Sequence, residues 1–151
     1  VSQDTFISSL YWTDKLGPAA CLATIEKIKR EKVPEYTKPL GERVQKLWSD
    51  CADRNGLKIK ITGPVPQLSI FAFDYSNDLE VKTLFNQEML KKGFLTTTAF
   101  YPSFCHTDQI IDEYHEAVDE VFAYLAKTLE SCQIHNALKT PVAHSGFKRL
   151  T

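Results

Sequence analysis

The sequence predicts an α+β fold in which helices cover a small, mainly antiparallel sheet of three to four strands. Helical periodicity occupies both ends of the chain, and short β-patterned runs occupy its middle. Strands and helices nowhere alternate in the regular order that builds a parallel sheet. The 151 residues, 43% hydrophobic and 25% charged, match one ordinary globular domain, so we expect a single compact core.

The first predicted helix covers residues 19–30. It follows Gly17 and Pro18, a chain break and then a residue suited to the first turn of a helix. The spacing of its apolar residues predicts an amphipathic helix. The residues of its apolar face are Leu22, Ile25 and Ile28.

The second helical pattern lies between two prolines and a glycine. Pro34 is expected to interrupt the preceding helix, and Pro39 to restart it. Asn55 and Gly56 then end the helix as a left-handed C-terminal cap does. The apolar stripe between these signals contains Leu40, Val44, Leu47, Trp48 and Cys51.

Three regions carry strand patterns. Residues 57–61 alternate apolar residues with lysines, and a second run covers residues 68–73 after the Gly63-Pro64 break. We expect these two strands to pair as neighbours. A third region, residues 94–104, is rich in threonine and aromatic residues.

Two further helices flank the third strand region. Asn77, Asp78 and Glu80 supply capping chemistry for a helix that Gly93 ends. Thr107 caps the last helix, and residues 137–151 look irregular. The last helix carries a long apolar stripe: Ile110, Ile111, Tyr114, Val118, Val121, Phe122, Leu125 and Leu129. We expect Ile111, Val118, Phe122 and Leu125 of this stripe to pack on one face of the sheet.

Composition excludes several classes of function. The formal net charge is −1 and basic residues are interspersed with acidic ones, so the chain has no electrostatic footprint for nucleic acid. No apolar run approaches the roughly 20 residues that cross a bilayer, and no secretory signal pattern is present. We therefore expect a soluble, cytoplasmic protein. The four cysteines have no CxxC spacing and are interpreted as reduced thiols.

Catalytic signatures are sparse. The sequence contains no Walker loop, GxGxxG, GxSxG or HExxH motif, and it predicts no metal site. His106, just before the Thr107 cap, either orients its loop or meets a substrate, and the loop role is favoured. His115 and His135 fit a solvated helix surface.

A basic group lies in the C-terminal tail. His144 neighbours Ser145, Lys148 and Arg149 there. These residues either bind an anion or form a solvated basic tail, and the solvated tail is the favoured interpretation.

The opening segment SSLYWTDKLGPAACLATIEKI and the ending HSGFKRLT resemble the C-terminal part of class III aminotransferases of fold type I, particularly the subgroup of glutamate-1-semialdehyde 2,1-aminomutase. The later segment GFLTTTAFYPSFCHTDQIID is similar to the last strand and last helix start of that family. The subgroup carries a segment of the form SSTYWTERIGPAAALAT. This chain matches that segment at Ser8, Ser9, Tyr11, Trp12, Thr13, Gly17, Pro18, Ala19 and Ala20.

The resemblance implies that residues 1–18 are an interdomain and dimer-contact segment and that residues 19–151 are the C-terminal small domain. It implies the cofactor pyridoxal 5'-phosphate (PLP), a small amino or keto substrate, a homodimer partner and a large PLP-binding domain of the same protein. In the family, that large domain carries the cofactor lysine. No lysine of this chain lies in the corresponding context, so the chain alone is expected to hold no cofactor and to have no catalytic residue.

The resemblance also assigns three cofactor-binding residues. In the family, the loop before GPAA reaches across the dimer to the cofactor phosphate of the neighbouring subunit, and Ser8, Ser9 and Leu10 occupy that loop here. Leu10 replaces a threonine whose hydroxyl makes the phosphate contact, which weakens the contact without excluding it. The alternative is that residues 8–13 simply connect a strand to a helix.

Two other hypotheses stay open. The first is an independent α+β binding module without catalytic activity. The second is a small enzyme with Cys105 as nucleophile and His106 or His144 as base. Neighbouring residues on an extended strand point to opposite faces, which disfavours a Cys105–His106 pair.

Overall fold

The structure, a computed structural model, describes residues 14–144. These residues divide into two compact units, residues 14–34 and residues 35–144. The first unit contains helix α1 (Leu16–Arg30), which begins before Gly17 and Pro18 rather than after them. Proline fits the first turn of a helix because its missing N–H has no partner there. The predicted apolar face of α1 is not buried: Leu22, Ile25 and Ile28 are exposed.

Helix α2 (Val33–Asn55) corrects the prediction that Pro39 restarts a helix, because α2 runs through Pro39 without a break. Pro39 removes one hydrogen bond near the start of α2. Buried residues on both sides, Thr37 and Leu40, hold this turn in the core. The chain breaks instead at Lys32, whose φ is 48°.

The predicted stop after Asn55 is confirmed. Gly56 has φ 68°, and its N–H donates to the Asp53 carbonyl at 3.3 Å. The Leu57 N–H donates to the Ala52 carbonyl at 2.9 Å. These two bonds form the Schellman motif that satisfies the last carbonyls of a helix.

The sheet is antiparallel and has the strand order β1-β2-β3, for β1 (Ile59–Thr62), β2 (Ser69–Phe73) and β3 (Ala99–Phe100). The predicted pairing of the first two strands is confirmed, with Ile61 opposite Phe71. The third strand is much shorter than the predicted region, because β3 pairs with β2 only at Ser69 and Ile70. A short 3-10 helix, Pro66–Leu68, precedes β2.

Helices α3 (Asp78–Lys91), α4 (Asp108–Glu130) and α5 (Ile134–Ala137) complete the fold. The Thr107 cap is confirmed, since its hydroxyl accepts from the Ile110 N–H at 3.3 Å. The Asn77 side chain makes no capping hydrogen bond to α3. The sequence did not predict α5, which is a single turn with a buried Ile134.

The core of the second unit centres on Phe71 of β2. Its ring lies 4.8 Å from Trp48 of α2, 5.5 Å from Phe85 of α3 and 5.9 Å from Phe122 of α4, between ring centroids. The predicted packing of the α4 stripe is confirmed: Ile111, Val118, Phe122 and Leu125 are buried. Helices therefore cover one face of the sheet. Within residues 14–144, no helix has the length and apolar character required to span a membrane.

Candidate functional site

A half-open cavity of about 380 Å³ lies between the segment that follows α3 and the start of α4. Its walls come from residues 94–101, from His106 and from one face of α4. A cavity with an apolar lining and a few polar groups is the usual form of a small-molecule site. The lining residues are Phe94, Leu95, Thr96, Thr97, Ala99, Phe100, Tyr101, His106, Ile110, Ile111 and Tyr114.

One wall is set by the end of α3. Gly93 has φ 89°, a conformation that favours glycine, and its N–H donates to the Leu90 carbonyl at 3.0 Å. The Phe94 N–H donates to the Met89 carbonyl at 3.0 Å. This Schellman motif turns the chain out of α3 and brings Phe94 to the cavity. The next residue, Leu95, is 94% exposed.

The opposite wall is the turn before α4, which His106 holds. The Ser103 N–H donates to His106 Nδ1 at 2.8 Å, and the Ser103 hydroxyl lies 3.1 Å from the same nitrogen. The His106 N–H donates back to the Ser103 carbonyl at 3.1 Å, and the Tyr36 hydroxyl donates to the His106 carbonyl at 2.7 Å. The His106 ring lies 5.2 Å from that of Phe100. His106 therefore orients its loop, as predicted.

Tyr114 closes the cavity from the core side. The Trp48 indole N–H donates to its hydroxyl at 3.0 Å. Burial raises the pKa of Tyr114 to about 12, although hydrogen bonds with Trp48 and Thr96 act in the lowering direction. Tyr114 is therefore a neutral phenol at neutral pH, and this side of the cavity carries no charge.

The cavity has few free polar atoms. Its lining contains no Lys, Arg, Asp or Glu. The Thr96 hydroxyl donates to the Thr97 carbonyl at 2.9 Å, and the Thr97 hydroxyl accepts from the Ala99 N–H at 3.1 Å. Among the described residues, two lining side chains keep a polar atom without a hydrogen bond: His106 at Nε2 and Tyr101 at its hydroxyl.

The predicted cofactor-binding residues Ser8, Ser9 and Leu10 lie outside the described residues, as do Ser145, Lys148 and Arg149. His144 is exposed. The side chain of His135 is 79% exposed and lies 3.3 Å from Glu80, which agrees with a solvated helix surface.

The Cys105–His106 hypothesis gains no support. Ser103, rather than the Cys105 thiol, occupies His106 Nδ1. Cys105 is exposed, like Cys21 and Cys132, whereas Cys51 is buried. From residue 14 to residue 144, no group of three or more His, Cys, Asp or Glu side chains has the arrangement of a metal site.

The sequence interpretation found His106 but not the cavity around it. The region 94–104 is predicted to be a strand, and Ile110 is predicted to belong to the apolar stripe of the last helix. In the structure Leu95, Tyr101 and Ile110 are exposed at 94%, 58% and 39%. The available signal was the Thr-rich run after Gly93, where apolar and polar residues do not alternate as a half-buried strand requires.

No family model matches the chain. The aminopentol aminotransferase of Sphingopyxis macrogoltabida is 25% identical over 139 residues, which are 91% of this chain and 33% of that protein. The chain thus spans about a third of the length of this curated relative.

A solved structure also matches this chain over about a third of its own length. It is the PLP internal aldimine form of the Sphingopyxis sp. MTA144 FumI protein, with a TM-score of 0.76 and 24% identity. The match covers 89% of this chain and 33% of that chain. At this identity the likeness shows a shared fold, in agreement with the predicted α+β class.

Proposed function

We propose that this chain is the C-terminal small-domain part of a PLP-dependent aminotransferase or aminomutase of class III. The sequence match to a third of an aminotransferase carries this proposal, because it extends over 91% of the chain. The shared fold supports it, with a TM-score of 0.76. The aminomutase-like subgroup rests on the matches around Gly17 and Pro18.

The cofactor would supply an electron sink for amino-group transfer. The cavity beside His106 does not fit a site for it, because no lysine lines this cavity. Two lysines outside this cavity pair with carboxylates: Lys46 with Asp50 at 2.6 Å and Lys60 with Asp74 at 2.9 Å. In this proposal the lysine that binds PLP belongs to a large domain of the same protein. Ser8, Ser9 and Leu10 would contact the phosphate of a homodimer partner's cofactor.

The cavity at the start of α4 would form part of the substrate channel. Exposed apolar surface of this kind is typical of interaction sites and binding grooves. In this proposal the large domain closes over Leu95 and Tyr101 and removes them from water. The parent protein would be a cytoplasmic homodimer that acts on a small amino or keto compound.

The chain itself provides the first test. We expect the 151-residue chain, incubated with PLP and an amino donor, to transfer no amino group. Borohydride reduction followed by peptide mapping should show no lysine modified stoichiometrically, because the large domain's lysine is required. Turnover together with a single fully labelled lysine would overturn the proposal.

The coding sequence provides the second test. We expect the reading frame around this chain to encode, upstream, a domain with a PLP-binding lysine. Expression of that longer protein should give the absorbance of bound PLP and amino transfer. A gene that encodes only this α+β unit would favour the independent binding module instead.

A further inference from the structure

The hydrogen bonds of His106 determine which of its ring nitrogens carries the proton. The Ser103 N–H is a donor only, and it points at Nδ1 over 2.8 Å. Nδ1 must therefore present its lone pair, and a neutral imidazole then carries its hydrogen on Nε2. The Ser103 hydroxyl, 3.1 Å from Nδ1, can donate to the same lone pair. The ring thus keeps an N–H donor at Nε2.

This donor has no acceptor within residues 14–144. His106 is half-buried, lies beside Phe100 and lines a cavity in which the Thr96 hydroxyl already donates to a carbonyl, whereas the hydroxyl of the exposed Thr97 accepts from a backbone N–H. The other free polar atom, the Tyr101 hydroxyl, belongs to a side chain that is 58% exposed and reaches water more readily. A partly desolvated donor gains most from an acceptor on a ligand.

We propose that the cavity binds the apolar part of a compound that carries a neutral acceptor oxygen, a carbonyl or a hydroxyl, and that His106 Nε2–H donates to this oxygen. The uncharged lining disfavours an ionic group, and the rings of Phe94 and Phe100 suit an alkyl or aryl body. This inference rests on the proposed function in one respect: it takes the compound in the cavity to be the substrate of the proposed enzyme. His106 is then a binding residue that selects for the oxygen.

The first measurement is the tautomer. Nitrogen-15 spectra of the 151-residue chain, in which ring nitrogens are correlated with ring carbon protons, distinguish the two neutral forms. We expect His106 to show an unprotonated Nδ1 and a protonated Nε2. The His106→Asn variant assigns the signals by their loss. A hydrogen on Nδ1 would overturn the proposal.

The second measurement is binding of two probes, acetophenone and ethylbenzene, which have nearly the same shape but differ in the carbonyl oxygen. Asparagine places its Oδ1 near the position of Nδ1, so His106→Asn keeps the acceptor for the Ser103 N–H and removes the Nε2–H donor. We expect this variant to bind acetophenone about two- to tenfold more weakly, as the loss of one hydrogen bond predicts. Its affinity for ethylbenzene should not change.

Tyr101→Phe is the matched control, because it removes the other free polar atom of the lining and should leave the preference for acetophenone intact. Failure of acetophenone to bind, equal weakening of both probes, or loss of the preference in Tyr101→Phe alone would each overturn the proposal. The test uses no amino transfer. The cavity ligand and the proposed enzymatic function can therefore fail independently.

Discussion

The core around Phe71 and the cavity beside His106 use similar side chains in different ways. In the core, rings from two helices pack on Phe71 of β2: Phe85 at 5.5 Å and Phe122 at 5.9 Å. At the cavity, Leu95 and Tyr101 remain 94% and 58% exposed. Burying one large apolar side chain stabilises a fold by about 1.5–3 kcal/mol, and the cavity walls forgo part of this gain.

The two regions therefore differ in what holds them. The core is held by burial and ring packing, whereas the cavity walls are held by backbone hydrogen bonds at Gly93 and by the Ser103–His106 turn. Substitutions in the core should change the free energy of unfolding. Substitutions of the exposed cavity residues Leu95 and Tyr101 should change binding and leave stability nearly constant.

The largest expected effect is that of Phe122→Ala. Phe122 is fully buried and contacts Phe71, Phe73 and Phe85. Its truncation leaves a cavity in the core and should lower the free energy of unfolding by about 3–5 kcal/mol. Urea denaturation of the Phe122→Ala variant and of the unsubstituted chain measures the difference in the free energy of unfolding. A loss of a few tenths of a kcal/mol would show that α4 does not pack as described.

The next effect is a loss of stability at alkaline pH. Burial, aided by the Asp119 carboxylate, raises the pKa of the Cys51 thiol from 9.0 to about 12, and burial raises that of Tyr114 from 10.0 to about 12. Between pH 9 and pH 12 the native state therefore binds more protons than the unfolded chain. Stability must fall as pH rises through this range, by up to about 1.4 kcal/mol per pH unit for each group.

Urea denaturation at pH 8, 9, 10 and 11 measures whether the free energy of unfolding falls as the pH rises. Cys51→Ala removes one of the two groups and should flatten the decline above pH 9. If the stability of the unsubstituted 151-residue chain stayed constant up to pH 11, the burial of Cys51 and Tyr114 would be contradicted.

The smallest effect is that of Leu95→Ala. The side chain is 94% exposed, so its removal should change the free energy of unfolding by less than about 0.5 kcal/mol. Its removal from the cavity wall should nevertheless weaken acetophenone binding. A destabilisation comparable to that of Phe122→Ala would erase the distinction between the two regions.

Local sequence signals determined much of this fold. The period of α4 identified its buried face through Ile111, Val118 and Phe122, because one face of a helix repeats every 3.6 residues. Thr107 and Gly56 marked helix ends through side-chain capping and positive φ, both of which depend on a few neighbouring residues. The loop role of His106 was likewise visible, because its partner Ser103 is close in sequence.

Other features depended on residues far apart in the chain. The helix continues through Pro39 because burial of its neighbours outweighs one lost hydrogen bond. Strand β3 stops at Phe100 because β2 begins opposite it at Ser69, directly after the 3-10 helix Pro66–Leu68. The cavity exists because the end of α3 and the start of α4 lie close together beside Tyr114. The Trp48 indole N–H of α2 holds Tyr114 in place by donating to its hydroxyl at 3.0 Å. Sequence periodicity contains no information on contacts between elements that are far apart in the chain. The sequence by itself therefore determined most of the elements and the buried faces of α2 and α4, whereas the tertiary structure decided which apolar residues remain exposed around the cavity beside His106.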